Sequence, residues 1–512
     1  MGKRKKGLFQ SSLDRIELVG NKLPHPATLF AILALLVILL SAALQPLGIS
    51  VEHPGEEGTI VEIKNLLSAE GIQYIFTSMT SNFIGFAPLG VVLLTMLGIG
   101  VAERTGLISA LLRGFVLSVP NRFITLGLVF AGIMSSVASD AGYVVLPPLG
   151  ALIFAALGRH PLAGLAAAFA GVSAGFSANL LLSGTDAMLG EMTIAAAAII
   201  DPAYAETMNI AMNWAFIAVS VFVLTIIGTW VTEKIVEPRL GSYTGDQKEE
   251  IKGLQPIEKK GLVWAGIAVV IGIILTALLI IPPDAPMRGT EGDTMAQIVQ
   301  SPFMKSLVPI IAILFFIPGL AYGIVTKSIH NDKDVAKQMS DTMASMGTFI
   351  VLAFTAGQFV AFFNETNMGL VLGVYGADFL SSVKLTGIPL LILFILITAF
   401  INLFIGSASA KWAMMAPVFV PIMMRLGYSP ELTQMAYRIA DSTTNIISPL
   451  MTYFAIIIAF AQKYDKKMGI GTLISTMVPY SMFFLVGWTI MLIIWMLLGL
   501  PLGPGGPLYY QP

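Results

Sequence analysis

Arg438 and Asp441 lie three residues apart and open onto Ser442, Thr443, Thr444 and Asn445, with Ser448 and Pro449 just beyond. The surrounding chain is apolar. A charged side chain at a membrane helix centre costs about 2.5–3.5 kcal/mol on insertion scales, so both must face a cavity or a partner. Pro449 marks a place where the helix breaks and frees carbonyl oxygens. Freed carbonyls, hydroxyls and one carboxylate form the oxygen environment that a hard cation such as sodium takes. Asn402 stands four residues before Gly406, which with Ser407, Ala408 and Ser409 forms a second place to unwind. Asn402, Asp441 and backbone near Gly406 therefore read as a cation site. A proton carried on Asp441 needs the same carboxylate, so these residues leave H⁺ and Na⁺ equivalent. The plain alternative is an Arg438–Asp441 pair on one helix face, kept for packing.

Three more residues carry chemistry. Asp186 follows Ser183, Gly184 and Thr185, and reads as a substrate or proton group; the bland reading is a helix N-cap at the membrane surface. Trp412 comes three residues after Ser409, where its ring could stack on an aromatic ligand or serve as an interface anchor. Enzyme chemistry finds little support. Gly171-Val172-Ser173-Ala174-Gly175 fits a nucleophile elbow, but no strand precedes it, and close helix packing explains the glycines better. The histidines are His25, His53, His160 and His330, there is no cysteine, and no P-loop or H-E-x-x-H occurs. No cofactor is expected beyond a coupling ion, and nothing points to nucleic acid.

The elements that position these residues are membrane helices. The chain is 56% hydrophobic and 12% charged, with mean hydropathy +0.83, against roughly 25% charged residues in soluble domains. Continuous apolar runs at 27–48, 83–102, 123–138, 212–233, 262–281, 304–325, 343–363, 386–406 and 473–499 exceed or approach the length a bilayer needs. Two more regions, 139–200 and 407–460, are apolar but broken by Gly, Pro, Ser and Thr. The connectors 234–260, 327–337 and 463–467 are basic while 50–80 and 282–297 are acidic, which predicts a cytoplasmic N-terminus with the basic loops inside.

The broken regions are copies of each other. An offset of 269, the difference between 417 and 148, carries Pro148 onto Pro417, Leu157-Gly158 onto Leu426-Gly427, Pro161 onto Pro430 and Ser173 onto Ser442. The loop charges make the two copies run in opposite directions, the inverted-repeat build of secondary transporters. Each copy is expected to hold a re-entrant hairpin, at 139–158 and 408–426, whose halves are too short to span as helices; two Pro-kinked helices are the alternative. The expected organisation is a cytoplasmic stretch 1–26, a first membrane half 27–233, a connector 234–261, scaffold helices 262–325, a second repeat 343–460 and a last helix 473–499. The offset places Asp441 on Val172 and Asn402 on Ile133, so the ionisable chemistry is not duplicated.

Ser409, Trp412, Pro430, Arg438, Asp441 and Pro449, with Asp186 in the first half, resemble the signature of the AbgT family of bacterial transporters. Lys22–Pro26, Phe86–Gly90, Gly158–Pro161, Glu237–Gly241 and Gly499–Pro504 are similar to that family too, so the resemblance covers nearly the whole chain. It implies an all-α homodimer in the bacterial inner membrane, with nine spans and two re-entrant hairpins per protomer. It further implies cation-driven import of p-aminobenzoyl-glutamate, or export of p-aminobenzoate-type antimetabolites such as sulfonamides. Asp186, Ser409, Trp412, Pro430, Arg438 and Pro449 become substrate-site residues, with Asn402 and Asp441 near a sodium ion. The runner-up is a sodium-coupled dicarboxylate or citrate carrier of similar two-hairpin build. A passive channel is the reading from another class.

Overall fold

A computed structural model describes residues 24–52, 58–138, 141–243, 253–289, 297, 301–448, 451, 453–466 and 468–511. Pro449 lies outside them. The one sheet among the described residues is a pair of three-residue strands, β1 (Ser50–Glu52) and β2 (Ile60–Glu62), paired antiparallel. All else of regular structure is helical.

The principal helices are α1 (Pro26–Leu44), α2 (Pro88–Arg104), α3 (Leu107–Ser118), α4 (Ile124–Met134), α5 (Ala141–Ala156), α6 (Pro161–Phe169), α7 (Gly184–Ala197), α8 (Trp214–Val231) and α9 (Pro256–Ile280). They continue with α10 (Leu307–Thr326), α11 (Asp332–Ser345), α12 (Gly347–Glu365), α13 (Met368–Ser382), α14 (Gly387–Asn402), α15 (Ala408–Arg425), α16 (Pro430–Asn445), α17 (Phe454–Gln462) and α18 (Ile470–Leu497). Among the described residues six stretches, containing α1, α8, α9, α10, α12 and α18, are long and apolar enough to cross a bilayer unaided. A seventh crossing starts with α2, which bends by 59° into α3. Two more are broken helices. α6 widens into a π-helical turn at Ala170–Ala174 before α7, and α16 stops at Asn445 before α17.

Between these crossings lie the hairpins, and they do not have the expected bounds 139–158 and 408–426. Pro147 and Pro148 sit inside α5, and Pro417 and Pro421 inside α15. Each proline deletes one helical N–H, yet the helices run on because neighbours pack along them: α6 along α5, α7 and α13 along α15. The stretches 139–158 and 408–426 are thus second arms, and the runs 123–138 and 386–406, read as full spans, are first arms. At about 1.5 Å per residue, α4 is roughly 17 Å long and cannot cross. The first hairpin is α4–α5, turning over at the 3-10 segment Ser135–Ala138; the second is α14–α15, turning over at residues 403–407.

The Leu-Gly-x-x-Pro motif closes each hairpin at its wide end. Gly158 and Gly427 take φ of +72° and +83°, a left-handed backbone that glycine adopts without a Cβ penalty. The next residue then reaches back to the first arm. Arg159 Nη1 donates to Thr125 Oγ1 at 2.8 Å, and Gly387 N donates to Tyr428 Oη at 2.6 Å. The first turn lies at the basic end, where Arg159 also pairs with Glu237 at 2.5 Å. The second lies at the opposite end beneath the C-terminal tail. Ser429 Oγ donates to Pro507 O at 2.6 Å and Tyr510 N to Gly427 O at 3.0 Å, while Phe216 N donates to Leu502 O at 2.9 Å and Asn209 Nδ2 to Pro504 O at 2.9 Å. The series α2, α3, hairpin, α6/α7 therefore recurs upside down as α12, α13, hairpin, α16/α17. Backbones meet closely where the first hairpin crosses the broken helix: a Cβ on Gly171 would stand 2.6 Å from Val129 O.

Candidate functional site

Asn402 is the last residue of α14, Lys411 lies in the first turn of α15, and Asp441 is near the end of α16. The hairpin tip brings the three together. The Asn402 amide group donates to Asp441 O at 2.7 Å, Thr444 Oγ1 at 2.8 Å and Asn445 Oδ1 at 3.0 Å. Its own oxygen accepts from Lys411 Nζ. That ammonium also stands 2.6 Å from Asp441 Oδ1 and 3.5 Å from the carbonyl of Ile405, in the unwound tip. Lys411 and Asp441 are 0% and 1% exposed. Three oxygens thus surround the Lys411 ammonium: one carboxylate, one amide and one carbonyl. Asp441 Oδ2 has no hydrogen-bond partner among the described residues. The donor set suits a monovalent cation. The cation it holds in this structure is the chain's own lysine.

A second buried pair lies alongside. Asp186, in the first turn of α7, closes a capping box: its Oδ2 accepts from Ser183 N and Ser183 Oγ, each at 2.7 Å. Its other oxygen is 2.7 Å from Arg438 Nη2 on α16. The contact is an ion pair without hydrogen-bond alignment, so Asp186 Oδ1 and Arg438 Nε remain without hydrogen bonds. Arg438 Nη2 donates to Ser177 O at 3.3 Å, and Ser177 N donates to Ser442 Oγ at 3.2 Å. Residues 175–183, the break of the first broken helix, therefore run against α16. Asp186 is both cap and ion-pair partner, and it is buried rather than at a surface. Arg438 and Asp441 do not pair with each other; each takes a partner from another helix.

Trp412 is fully buried. Its indole N–H donates to Thr193 Oγ1 at 3.0 Å, and its ring lies against Tyr437 with centroids 4.4 Å apart. Gln434 Nε2 donates to the same Thr193 oxygen at 2.7 Å, and Tyr437 Oη donates to Ala408 O at 2.6 Å. Pro430 is the first residue of α16, whose N-terminus Ser429 caps by accepting from Leu432 N at 3.0 Å.

Ser409 is apart from these. It lines a cavity of about 590 Å³ together with Phe176, Gly184, Thr185, Met188 and Arg104. The volume suits a small organic molecule. Exposed Arg104 and Ser345 stand at its basic-end mouth. The N-termini of α7 and α15 meet at this cavity, and each carries the partial positive charge that favours an anion. On the other side of α15, a cavity of about 250 Å³ is lined by Asn82, Asn364, Ala413, Ala416 and Pro417. The short stretch from Ser409 to Ala413 divides the two.

The sequence reading missed Lys411, Thr193, Gln434 and Tyr437. Lys411 carried a usable signal, a lone charge in an apolar stretch. The other three had none, because their partners lie far away in the chain.

The chain matches the model of the AbgT putative transporter family over residues 11–510. It is 42% identical over 490 residues to the p-aminobenzoyl-glutamate transport protein of Escherichia coli K12, covering 96% of this chain and 95% of that one. Two solved structures share the fold. The YdaH transporter of Alcanivorax borkumensis, described as having an unusual topology, superposes with a TM-score of 0.88 at 44% identity, covering 94% of this chain and all of that one. MtrF of Neisseria gonorrhoeae, described as illuminating a class of antimetabolite efflux pumps, gives 0.90 at 49% identity, covering 97% and 100%.

Proposed function

Because the chain belongs to the AbgT putative transporter family, we propose that it is a cation-coupled secondary active transporter working by alternating access. Its cargo is p-aminobenzoyl-glutamate or a related p-aminobenzoate-type compound, sulfonamides included. The observation that supports this most is the pair of cavities that reach α15 from opposite ends, beside two buried charge pairs that join α15 and α7 to α16. In this reading the structure is the state open to the basic end. The cargo's carboxylates sit at the N-termini of α7 and α15, a preference of about 0.3–1 kcal/mol for each helix end at an exposed site. Ser409 supplies a hydroxyl, and Met188 and Phe176 supply apolar walls for the aryl ring.

Asn402, Asp441 and the carbonyls of the hairpin tip are the coupling-ion site, for Na⁺ or H⁺. Closing one cavity and opening the other moves α15, which carries Lys411, against α7 and α16, so Asp186, Trp412, Pro430, Arg438 and Pro449 serve the cargo site through that rearrangement. The protein sits in a bacterial inner membrane as a homodimer, with its N-terminus and basic loops cytoplasmic. Nothing in the comparisons favours a dicarboxylate or citrate cargo.

Proteoliposome flux of p-aminobenzoyl-glutamate and of a sulfonamide, under imposed Na⁺ and pH gradients in both orientations, is the test. Accumulation that collapses with an ionophore is expected. Flux that only equilibrates the two sides sinks the proposal.

A further inference from the structure

Lys411 is a charge that the chain carries into its own cation site. Its ammonium contacts Asp441 Oδ1, Asn402 Oδ1 and Ile405 O, the three oxygens best placed to hold a coupling ion. A lysine kept only to neutralise Asp441 needs the carboxylate and nothing more. Here it also takes up the amide oxygen, and it leaves Asp441 Oδ2 unpartnered in the interior.

We propose that Lys411 is an internal competitor of the coupling ion: the ammonium and Na⁺ exchange at the same oxygens, so the ion binds only when the Lys411 side chain swings out. The inference rests on the cation-coupled reading above and names the residue that gates its site. Charge supports it. Around the site the formal charges are Lys411 and Arg438 against Asp441 and Asp186, already paired two by two. A sodium ion added beside the ammonium leaves one positive charge buried and uncompensated, an expensive arrangement. Exchange keeps the site neutral.

Geometry supports it too. Lys411 is in the first turn of α15, directly after the non-helical residues 403–407 and two residues beyond Ser409, which lines the basic-end cavity. A flexible four-carbon stem at a helix start can leave without breaking helical hydrogen bonds. The energetic consequence is that wild-type affinity for Na⁺ is reduced by the fraction of time the ammonium occupies the site.

Thermal unfolding of the full-length protein in detergent, titrated with NaCl against N-methylglucamine chloride at constant ionic strength, tests this. K411M and K411Q should unfold at lower temperature than wild type without Na⁺, since Asp441 is left unpaired. Added Na⁺ should restore them, half-maximally at a concentration at least tenfold below that needed by wild type. K411R, whose fork grips a carboxylate more firmly, should fold and respond to Na⁺ at least tenfold more weakly than wild type, which keeps the test decisive if the neutral variants do not fold. An Na⁺ response equal to or weaker than wild type in K411M and K411Q, or undiminished in K411R, overturns the inference. So does an absence of any Na⁺ response in all four proteins; if a pH gradient still drives flux, the proposed function then stands with the proton as its ion.

Discussion

Asp186 on α7 and Arg438 on α16 face each other at 2.7 Å with 1% and 3% of their side chains exposed, joining a helix of the first repeat to one of the second. The two residues share no symmetry under the 269-residue offset that relates the copies, since Arg438 falls on Phe169. The pair is therefore a point where the inverted halves are locked by chemistry that only one arrangement supplies.

Breaking the pair should be expensive. D186N and R438M each leave a buried partner unpaired, and such losses run to about 3–5 kcal/mol. The double variant should be less destabilised than the sum of the singles. Thermal unfolding of all four forms a double-mutant cycle; strict additivity means the contact contributes nothing.

The chain lacks cysteine, so single cysteines report accessibility without background. S409C should react with a membrane-impermeant thiol reagent applied to the basic face, and A413C should react from the other face when the transporter turns over. Equal labelling of S409C from both faces in the resting protein contradicts a cavity with a single opening.

Trp412 separates packing from cargo contact. In W412F the ring stays against Tyr437 while one hydrogen bond is lost, and Thr193 Oγ1 still accepts from Gln434. A cost of about 0.5–1.5 kcal/mol is expected, with transport retained. W412A empties a core position and should cost about 3–5 kcal/mol. If W412F weakened cargo binding tenfold with unchanged stability, the indole touches cargo directly in another state.

His160 lends the basic end a mild acid sensitivity. Its Nδ1 accepts from Leu162 N at 3.3 Å as the cap of α6, which needs a neutral ring. Burial lowers its pKa, against the opposing pull of Glu237 and Asp465. The folded state thus prefers the neutral form. The contribution is complete above the unfolded value of about 6.5 and declines as pH falls below it toward the lower folded value. H160N, another good cap, should flatten the fall in melting temperature between pH 7.5 and 5.5.

Much of this architecture was legible in the sequence because membrane depth punishes charge. Asn402 and Asp441 could be paired from separate helices on the strength of unwinding signals alone, and Asp186 stood out for its company of Ser183 and Thr185. The hairpins begin further toward the N-terminus than 139–158 and 408–426, because the two short halves of each stretch form one continuous helix. Pro147, Pro148, Pro417 and Pro421 lie inside helices packed along their length by neighbours, and only tertiary packing decides that. Meanwhile the true turning points are Ser135–Ala138 and 403–407, where among large apolar residues only Gly406 and Ser407 signal unwinding. Lys411 went unremarked between Ala410 and Trp412, although the physics that singled out Asp441 applied to it equally.

The tail that seals the second hairpin has a bearing on biogenesis. Leu502, Pro504, Pro507, Leu508 and Tyr510 hold the outer turn at Gly427–Ser429 to the loops around Asn209 and Phe216. These residues follow the hairpin turn by 75 positions or more in the chain, the difference between 502 and 427. The second hairpin must therefore wait, without this tether, until the tail has been made, whereas Arg159 of the first can meet Glu237 before the second repeat is synthesised. Truncated chains should accumulate with one repeat assembled and the other open, a ready substrate for membrane quality-control proteases.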